Sequence, residues 1–221
     1  MRVGFIGLGA MGLPMAKNVV SAGYEVITTF HKRREPANEL VGLGARLASS
    51  YAEIASWADV VITVLPADAE LREVAMGKKG LIEGFSEGKI LIDMTTATPH
   101  AVLEVESVLS RQGGLVLDAP ISGGTPAAAD GTLTIMVGGE KELLDKVRPL
   151  LETMGKTIFH VGGVGQGKVV KMVNQALAGI HVLAIAEAFS LGVKCGADPK
   201  VLYDVIKVSS GYSRQMDLRL P

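Results

Sequence analysis

Residues 2–12 read Arg-Val-Gly-Phe-Ile-Gly-Leu-Gly-Ala-Met-Gly, a short apolar strand running straight into Gly7-x-Gly9-x-x-Gly12. This spacing matches a loop that receives a dinucleotide pyrophosphate. Gly7 permits the tight turn, Gly9 lets phosphate approach backbone with no Cβ in the way, and Gly12 allows close packing of helix on strand. The segment from Ala10 to about Ala22 then presents a helix N-terminus to the anion. Gly7, Leu8, Gly9, Ala10, Met11 and Gly12 are the first candidate cofactor-binding residues.

Outward from this loop, apolar runs of strand length recur at Val3–Ile6, Glu25–Thr29, Val60–Leu65, Ile90–Met94, Leu115–Leu117 and Leu133–Val137. Helical patterns separate most of them. Such alternation predicts right-handed βαβ crossovers and a largely parallel sheet with helices on both faces. The expected fold is α/β: a doubly wound Rossmann-type domain over residues 1–163. Past Gly162-Gly163-Val164-Gly165 the pattern becomes all-α. One long helix is expected from Lys168 to about Val193, and a second, opened by Asp198-Pro199, from Pro199 to about Val208. Residues 164–221 therefore read as a partial helical domain for substrate binding or oligomerisation.

At the end of the second strand an acidic residue would hold the ribose of NAD, whereas basic residues would accommodate the extra phosphate of NADP. Here Phe30 is followed by His31-Lys32-Arg33-Arg34, with no carboxylate before Glu35. His31, Lys32 and Arg33 are candidate phosphate partners, so the expected cofactor is NADP, with NAD also possible.

Composition limits the partners. With 22 basic and 23 acidic residues among 221, the net charge is −1 and the charges are scattered. That gives no electrostatic basis for binding nucleic acid or an anionic membrane. No uninterrupted apolar run reaches the roughly 18 residues of a spanning segment, and the N-terminus reads as a glycine-interrupted strand rather than a signal sequence. A cytoplasmic location is expected. The single cysteine, Cys195, lies between Lys194 and Gly196 with no ligand set beside it, and the four histidines show no metal-binding spacing. No metal is expected.

Three further segments gain meaning only together: Asp93-Met94-Thr95-Thr96, Asp118-Ala119-Pro120-Ile121-Ser122-Gly123-Gly124, and Gly165-Gln166-Gly167-Lys168-Val169-Val170-Lys171-Met172-Val173-Asn174-Gln175. With the opening glycines, and in this order, the chain resembles the β-hydroxyacid dehydrogenase family. That family includes 3-hydroxyisobutyrate dehydrogenase, tartronate semialdehyde reductase and the glyoxylate/succinic semialdehyde reductases. The resemblance spans nearly the whole chain, including Gly131-Thr132-Leu133 and Met136-Val137-Gly138-Gly139. It implies that Ser122, Gly123 and Gly124 cradle the substrate carboxylate, that Thr96 lies near both nicotinamide and substrate, and that Leu65 and Pro66, after the Val60–Val64 run, form the loop beneath the cofactor. It implies further that Lys171 is the general acid/base and that Asn174 holds the substrate oxygen or orients the lysine.

The chemistry is consistent with those roles. A lysine serves as acid and base only if its pKa falls toward the working pH, which burial and a helix N-terminus both promote. Asn174 follows Lys171 at i+3, so the two share a helix face, and Lys168 shares it too. The chain departs from the family at Ala127, where glycine is common. Family members also usually continue several dozen residues past the position of Pro221, so the helical segment is expected to be truncated. An apolar helix without its cover predicts a homo-oligomer, dimer or tetramer. Together these observations predict an NADP-preferring oxidoreductase for a small carboxylate-bearing β-hydroxyacid or the matching semialdehyde or keto acid. Two other readings compete. An imine reductase resembles the cofactor domain but usually lacks the lysine, and a non-catalytic dinucleotide-binding or oligomerisation module would lack turnover.

Overall fold

The computed structural model describes residues 1–220. It comprises two compact units, Met1–Lys171 and a second that begins at Met172. The first unit opens with β1 (Arg2–Ile6), α1 (Gly12–Ser21), β2 (Glu25–Thr28), α2 (Glu35–Gly42) and β3 (Arg46–Leu47). It continues with α3 (Tyr51–Trp57), β4 (Val60–Thr63), α4 (Asp68–Met76), β5 (Ile90–Asp93), α5 (Pro99–Leu109) and β6 (Leu115–Asp118). After β7 (Ile121–Ser122) and α6 (Gly124–Ala129) come β8 (Leu133–Gly138), α7 (Lys141–Leu151) and β9 (Gly155–Gly162). The long helix α8 (Gln166–Lys194) begins in the first unit, and α9 (Pro199–Ile206) and α10 (Arg214–Arg219) follow in the second. The expected doubly wound domain and helical C-terminal segment are both present.

The sheet runs β3-β2-β1-β4-β5-β6-β8-β7, with β9 paired to β8. The pairings β3·β2, β2·β1, β1·β4, β4·β5 and β5·β6 are all parallel. The chain order reverses between β1 and β4, and such a switch point leaves a crevice at the carboxyl ends of the strands. Strand residues alternate between two cores, as a sheet covered on both faces requires. Val3, Phe5, Val60, Ile62, Ile90 and Ile92 pack with Met15, Ala16 and Val19 of α1 on one face. Ile6, Val61 and Leu91 pack with Ile54, Leu71, Val74, Val102 and Val105 of α3, α4 and α5 on the other.

The sheet is largely parallel, as expected, and its antiparallel pairings lie beyond β6. β8 runs antiparallel to both β6 and β7. β6 and β7, separated only by Ala119 and Pro120, run in the same direction along one edge of β8, which returns after α6. Strands β3, β7 and β9 were not marked by the apolar runs. The first two are two residues long, and β9 bears the outward polar residues Lys156, Thr157 and His160. Asn18 of α1 donates to the carbonyls of Ala128 and Ala129 at 3.0 and 3.3 Å, fastening α6 to the helix that follows the glycine loop.

Helix α8 starts two residues before the expected Lys168, because Gly165 completes the turn with φ +91°. By length and composition it is apolar enough to cross a membrane, with mean hydropathy 1.8. It nevertheless carries Lys168, Lys171, Asn174, His181 and Glu187 along its length.

The central strands dominate stability. Replacing Ile62, fully buried in β4, by Ala is expected to cost about 2–5 kcal/mol in urea denaturation. Leu103→Ala, at a position 44% exposed on α5, is expected to change stability by no more than about 0.5 kcal/mol.

Candidate active site

The crevice at the β1/β4 switch is a cleft of about 590 Å³. It is lined by Gly7 through Gly12, by His31, Lys32 and Arg33 after β2, and by Leu65 and Pro66 after β4. Those candidates, scattered over sixty residues of sequence, thus meet in one place. Thr96 does not line this cleft; it is exposed just beyond β5.

The three glycines have different physical reasons. Gly7 has φ +98°, and a Cβ there would lie 2.1 Å from the Val64 carbonyl oxygen. A Cβ on Gly12 would lie 1.8 Å from the Gly7 carbonyl oxygen. Both are therefore demanded by the fold itself. A Cβ on Gly9 would meet no protein atom within 4 Å, so nothing inside the described chain requires glycine there. Gly9 lines the cleft, and the open space beside it lets a ligand approach the backbone there. α1 supports the same conclusion, having no side-chain cap and no acidic residue in its first turn. The Leu13 N–H is taken by the Gly9 carbonyl and Pro14 has none, so it is the bare N-terminal end of the helix dipole that favours an anion.

The cleft carries both signs of charge. Beside the basic run, the lining includes Glu70 and Glu73 of α4. The Glu70 Oε2 atom is buried with no hydrogen-bond partner among the described residues, an acceptor left open where a ligand's hydroxyl or amino group would sit. Sequence reasoning missed these carboxylates because it searched for an acidic partner at the end of β2, and they come forty residues later. Tyr51 joins them in the lining, its hydroxyl pushed up by burial and by the Glu73 charge.

A second constellation forms where β5, β6 and the start of α8 meet. The Asp118 carboxylate at the end of β6 accepts from the Gly165 N–H at 2.7 Å and the Lys168 N–H at 2.8 Å, capping α8. Burial raises the Asp118 pKa, while those two bonds oppose the shift. Glycines enclose the cap: a Cβ on Gly138 would lie 2.3 Å from one Asp118 oxygen, and one on Gly167 would lie 2.7 Å from the other.

Lys168 is buried, and its ammonium faces three oxygens. Asp93 Oδ2 lies 2.7 Å away as an ion pair, and the ammonium donates to the carbonyls of Asp93 at 3.0 Å and Thr95 at 2.5 Å. Asp93 Oδ2 lies off a hydrogen-bonding direction, so the ion pair is its compensation. The other Asp93 oxygen accepts from Thr63 Oγ1 at 2.7 Å and from the Thr95 N–H at 3.2 Å.

Lys171, one turn further along α8, is only 7% exposed. Among the described residues it forms no side-chain hydrogen bond and no ion pair. Burial alone lowers its pKa from the ordinary lysine value of 10.5. Asn174 follows at i+3, half-buried on the same helix. Ser122 ends β7 half-buried, and Gly123 and Gly124 follow with φ +140° and +72°, both exposed. Ala127, where family members commonly carry glycine, lies beneath this turn. A Cβ on Gly123 would come within 2.6 Å of its methyl group.

The NAD binding domain of 6-phosphogluconate dehydrogenase matches residues 2–162. The NAD-binding model of NADP-dependent 3-hydroxyisobutyrate dehydrogenase matches residues 165–221. A probable mitochondrial 3-hydroxyisobutyrate dehydrogenase from Dictyostelium discoideum is 42% identical over 94% of this chain, which spans 64% of that relative. The 2-(hydroxymethyl)glutarate dehydrogenase of Eubacterium barkeri is 38% identical over 100% of the chain and 73% of its own length. The chain belongs to the 3-hydroxyisobutyrate dehydrogenase family. The structure of Mycobacterium tuberculosis 3-hydroxyisobutyrate dehydrogenase with L-serine superposes with a TM-score of 0.89 at 35% identity. That comparison covers 97% of this chain and 73% of the mycobacterial one. The matching family models describe NAD-binding domains, and the open backbone at Gly9, the uncapped α1 and the unpaired Glu70 oxygen in the switch-point cleft fit such a guest.

The glycines separate binding from folding experimentally. Gly9→Ala is expected to leave stability within about 0.5 kcal/mol of wild type while weakening nicotinamide-dinucleotide binding in a fluorescence titration. Gly12→Ala is expected to lower stability by about 1–3 kcal/mol through overpacking.

Proposed function

We propose that this chain is an NADP-preferring β-hydroxyacid dehydrogenase. It would move a hydride between the nicotinamide and a small carboxylate-bearing alcohol, or run in reverse on the corresponding semialdehyde or keto acid. The observation that carries this reading is Lys171, a buried amine with no counter-ion among the described residues. It sits on a helix whose first turn is bonded to two strand ends. An amine in that state exchanges a proton near neutral pH more readily than an ordinary surface lysine.

The bound cofactor would supply the hydride acceptor or donor. In oxidation, neutral Lys171 takes the proton of the substrate hydroxyl; in reduction, the Lys171 ammonium returns a proton to the developing alkoxide. Asn174, on the same helix face, is assigned to the substrate oxygen. The exposed backbone at Ser122, Gly123 and Gly124, with the serine hydroxyl, is assigned to the carboxylate, since consecutive backbone N–H groups bind anions without an arginine. Thr96, outside the dinucleotide cleft, is assigned to the substrate side.

The named substrates of the relatives narrow the class. 3-Hydroxyisobutyrate, 2-(hydroxymethyl)glutarate and L-serine share one skeleton, a CH₂OH group on the carbon that bears the carboxylate. They differ only in the third substituent on that carbon. A 2-substituted 3-hydroxypropanoate is therefore the favoured substrate, and its oxidation product is a 2-substituted malonate semialdehyde. The apolar residues exposed on α8, among them Leu177, Ile180 and Leu183, are assigned to contact between copies in a homo-oligomer.

Two measurements test this reading. Lys171→Ala is expected to abolish turnover while leaving NADPH binding intact; unchanged turnover rules out the lysine, and binding with no wild-type turnover supports the non-catalytic reading. Because burial lowers the Lys171 pKa, the oxidation rate should rise with pH through a midpoint below 10.5. The reduction rate should fall through the same midpoint, because it uses the protonated form. For cofactor choice, Lys32→Ala combined with Arg33→Ala is expected to reduce kcat/KM for NADPH about tenfold or more while barely changing that for NADH. Equal losses with both cofactors would remove the phosphate role.

A further inference from the structure

Lys168 is absent from the proton-transfer scheme, yet it is the most completely buried cation among the described residues. Its position three residues before Lys171 puts both side chains on one helix face. Its ammonium is held by Asp93 and by the carbonyl of Thr95. The Thr95 hydroxyl in turn accepts from the Leu65 N–H at 3.0 Å, and Leu65 lines the dinucleotide cleft. An unbroken chain of polar contacts therefore runs from the helix that carries Lys171, through the end of β5, to the wall of the cofactor cleft. The backbone of Lys168 is fixed as well, by its N–H on Asp118. Both ends of this residue are thus bonded to strand ends, seventy-five residues away through Asp93 and fifty through Asp118.

We infer that Lys168 and Asp93 form a positioning pair that sets the place of Lys171 relative to the cofactor cleft, through the relay Lys168–Thr95–Leu65. The inference rests on the acid/base role given to Lys171. Lys168 itself exchanges no proton with substrate, because its ammonium is surrounded by protein oxygens. Stability alone is a poor explanation for such a pair. Burying two charges carries a desolvation penalty that their attraction only partly repays, and a well-packed apolar pair of similar volume often serves as well or better. A geometric role gives a reason for charge at this place. The cation fixes three oxygens at once and joins the start of α8 to the end of β5, which an apolar side chain does not do.

Four variants of the full chain test it: Lys168→Met, Lys168→Arg, Asp93→Asn, and the double variant Lys168→Met with Asp93→Leu. Each is measured for NADPH binding, for kcat against pH, and for the proton-binding midpoint of Lys171 by competitive acetylation and mass spectrometry. The last readout needs no turnover. A wild type that fails to reduce any substrate would therefore defeat the acid/base reading while still leaving positioning measurable. The double variant removes the buried charges together, so its packing is restored without its relay. It is expected to bind NADPH as wild type does, to lose about ten- to a hundredfold in kcat, and to show a displaced Lys171 midpoint. Lys168→Arg, which keeps the charge and its donors, is expected to recover part of that loss. The proposal is overturned if the double variant retains wild-type kcat and midpoint. It is equally overturned if kcat and NADPH affinity fall together in Lys168→Arg, which would mark general disruption. If the methionine variants do not fold, Lys168→Arg and Asp93→Asn decide by the same two readouts.

Discussion

The start of α8 is held by two buried carboxylates, and the geometry of the candidate site depends on that attachment. Asp118 takes the helix N-terminal N–H groups and Asp93 takes the Lys168 ammonium. Each carboxylate stands at the end of a neighbouring parallel strand, directly opposite the other in the β5·β6 register. The sheet thus ends in a pair of anions, and the helix arrives with the positive end of its dipole and one cation to meet them. Removing either partner alone would leave a buried charge uncompensated, a change that typically costs about 3–5 kcal/mol. The helix cannot slide or rotate at this point without breaking several bonds together.

The same sheet makes the cofactor cleft by topology alone. Strands β1 and β4 are neighbours whose following segments leave in opposite directions, so their carboxyl ends enclose a crevice that no helix fills. The glycines adapt that crevice. Gly7 and Gly12 let the loop fold back on Val64 and on itself, whereas Gly9 leaves backbone bare toward the cleft. The basic run after β2 and the carboxylates of α4 both line the opening. That arrangement suits a guest with phosphate as well as hydroxyl or amino groups.

Much of this was legible in the sequence because it obeys short periods. The β1 strand, the glycine loop and α1 form one contiguous signature, and the long helix declares itself by more than twenty residues without proline. The short strands β3 and β7 carry no periodicity to read. The antiparallel course of β8 is set after β7, where the chain turns back through α6 to run against β6 and β7, and only pairing reveals it. Glu70 was invisible for a different reason. An acidic partner was sought where the sheet's second strand ends, whereas the third dimension brings it from α4. Lys168 and Lys171 show the limit most clearly. They lie on one face of one helix, and nothing local says which is paired and which is free. Asp93, seventy-five residues earlier, decides between them.

That decision bears on chemistry as well as architecture. Two lysines one turn apart could in principle compete for the carboxylates at the strand ends. Here Asp93 is committed to Lys168, Thr63 and the Thr95 N–H, and Asp118 is committed to backbone N–H groups. Neither is left for Lys171, whose pKa is then shifted by burial alone. The pairing of one lysine is therefore what leaves the other unpaired. A structural ion pair and a titratable amine are two consequences of the same arrangement, and exchanging the partners would remove both.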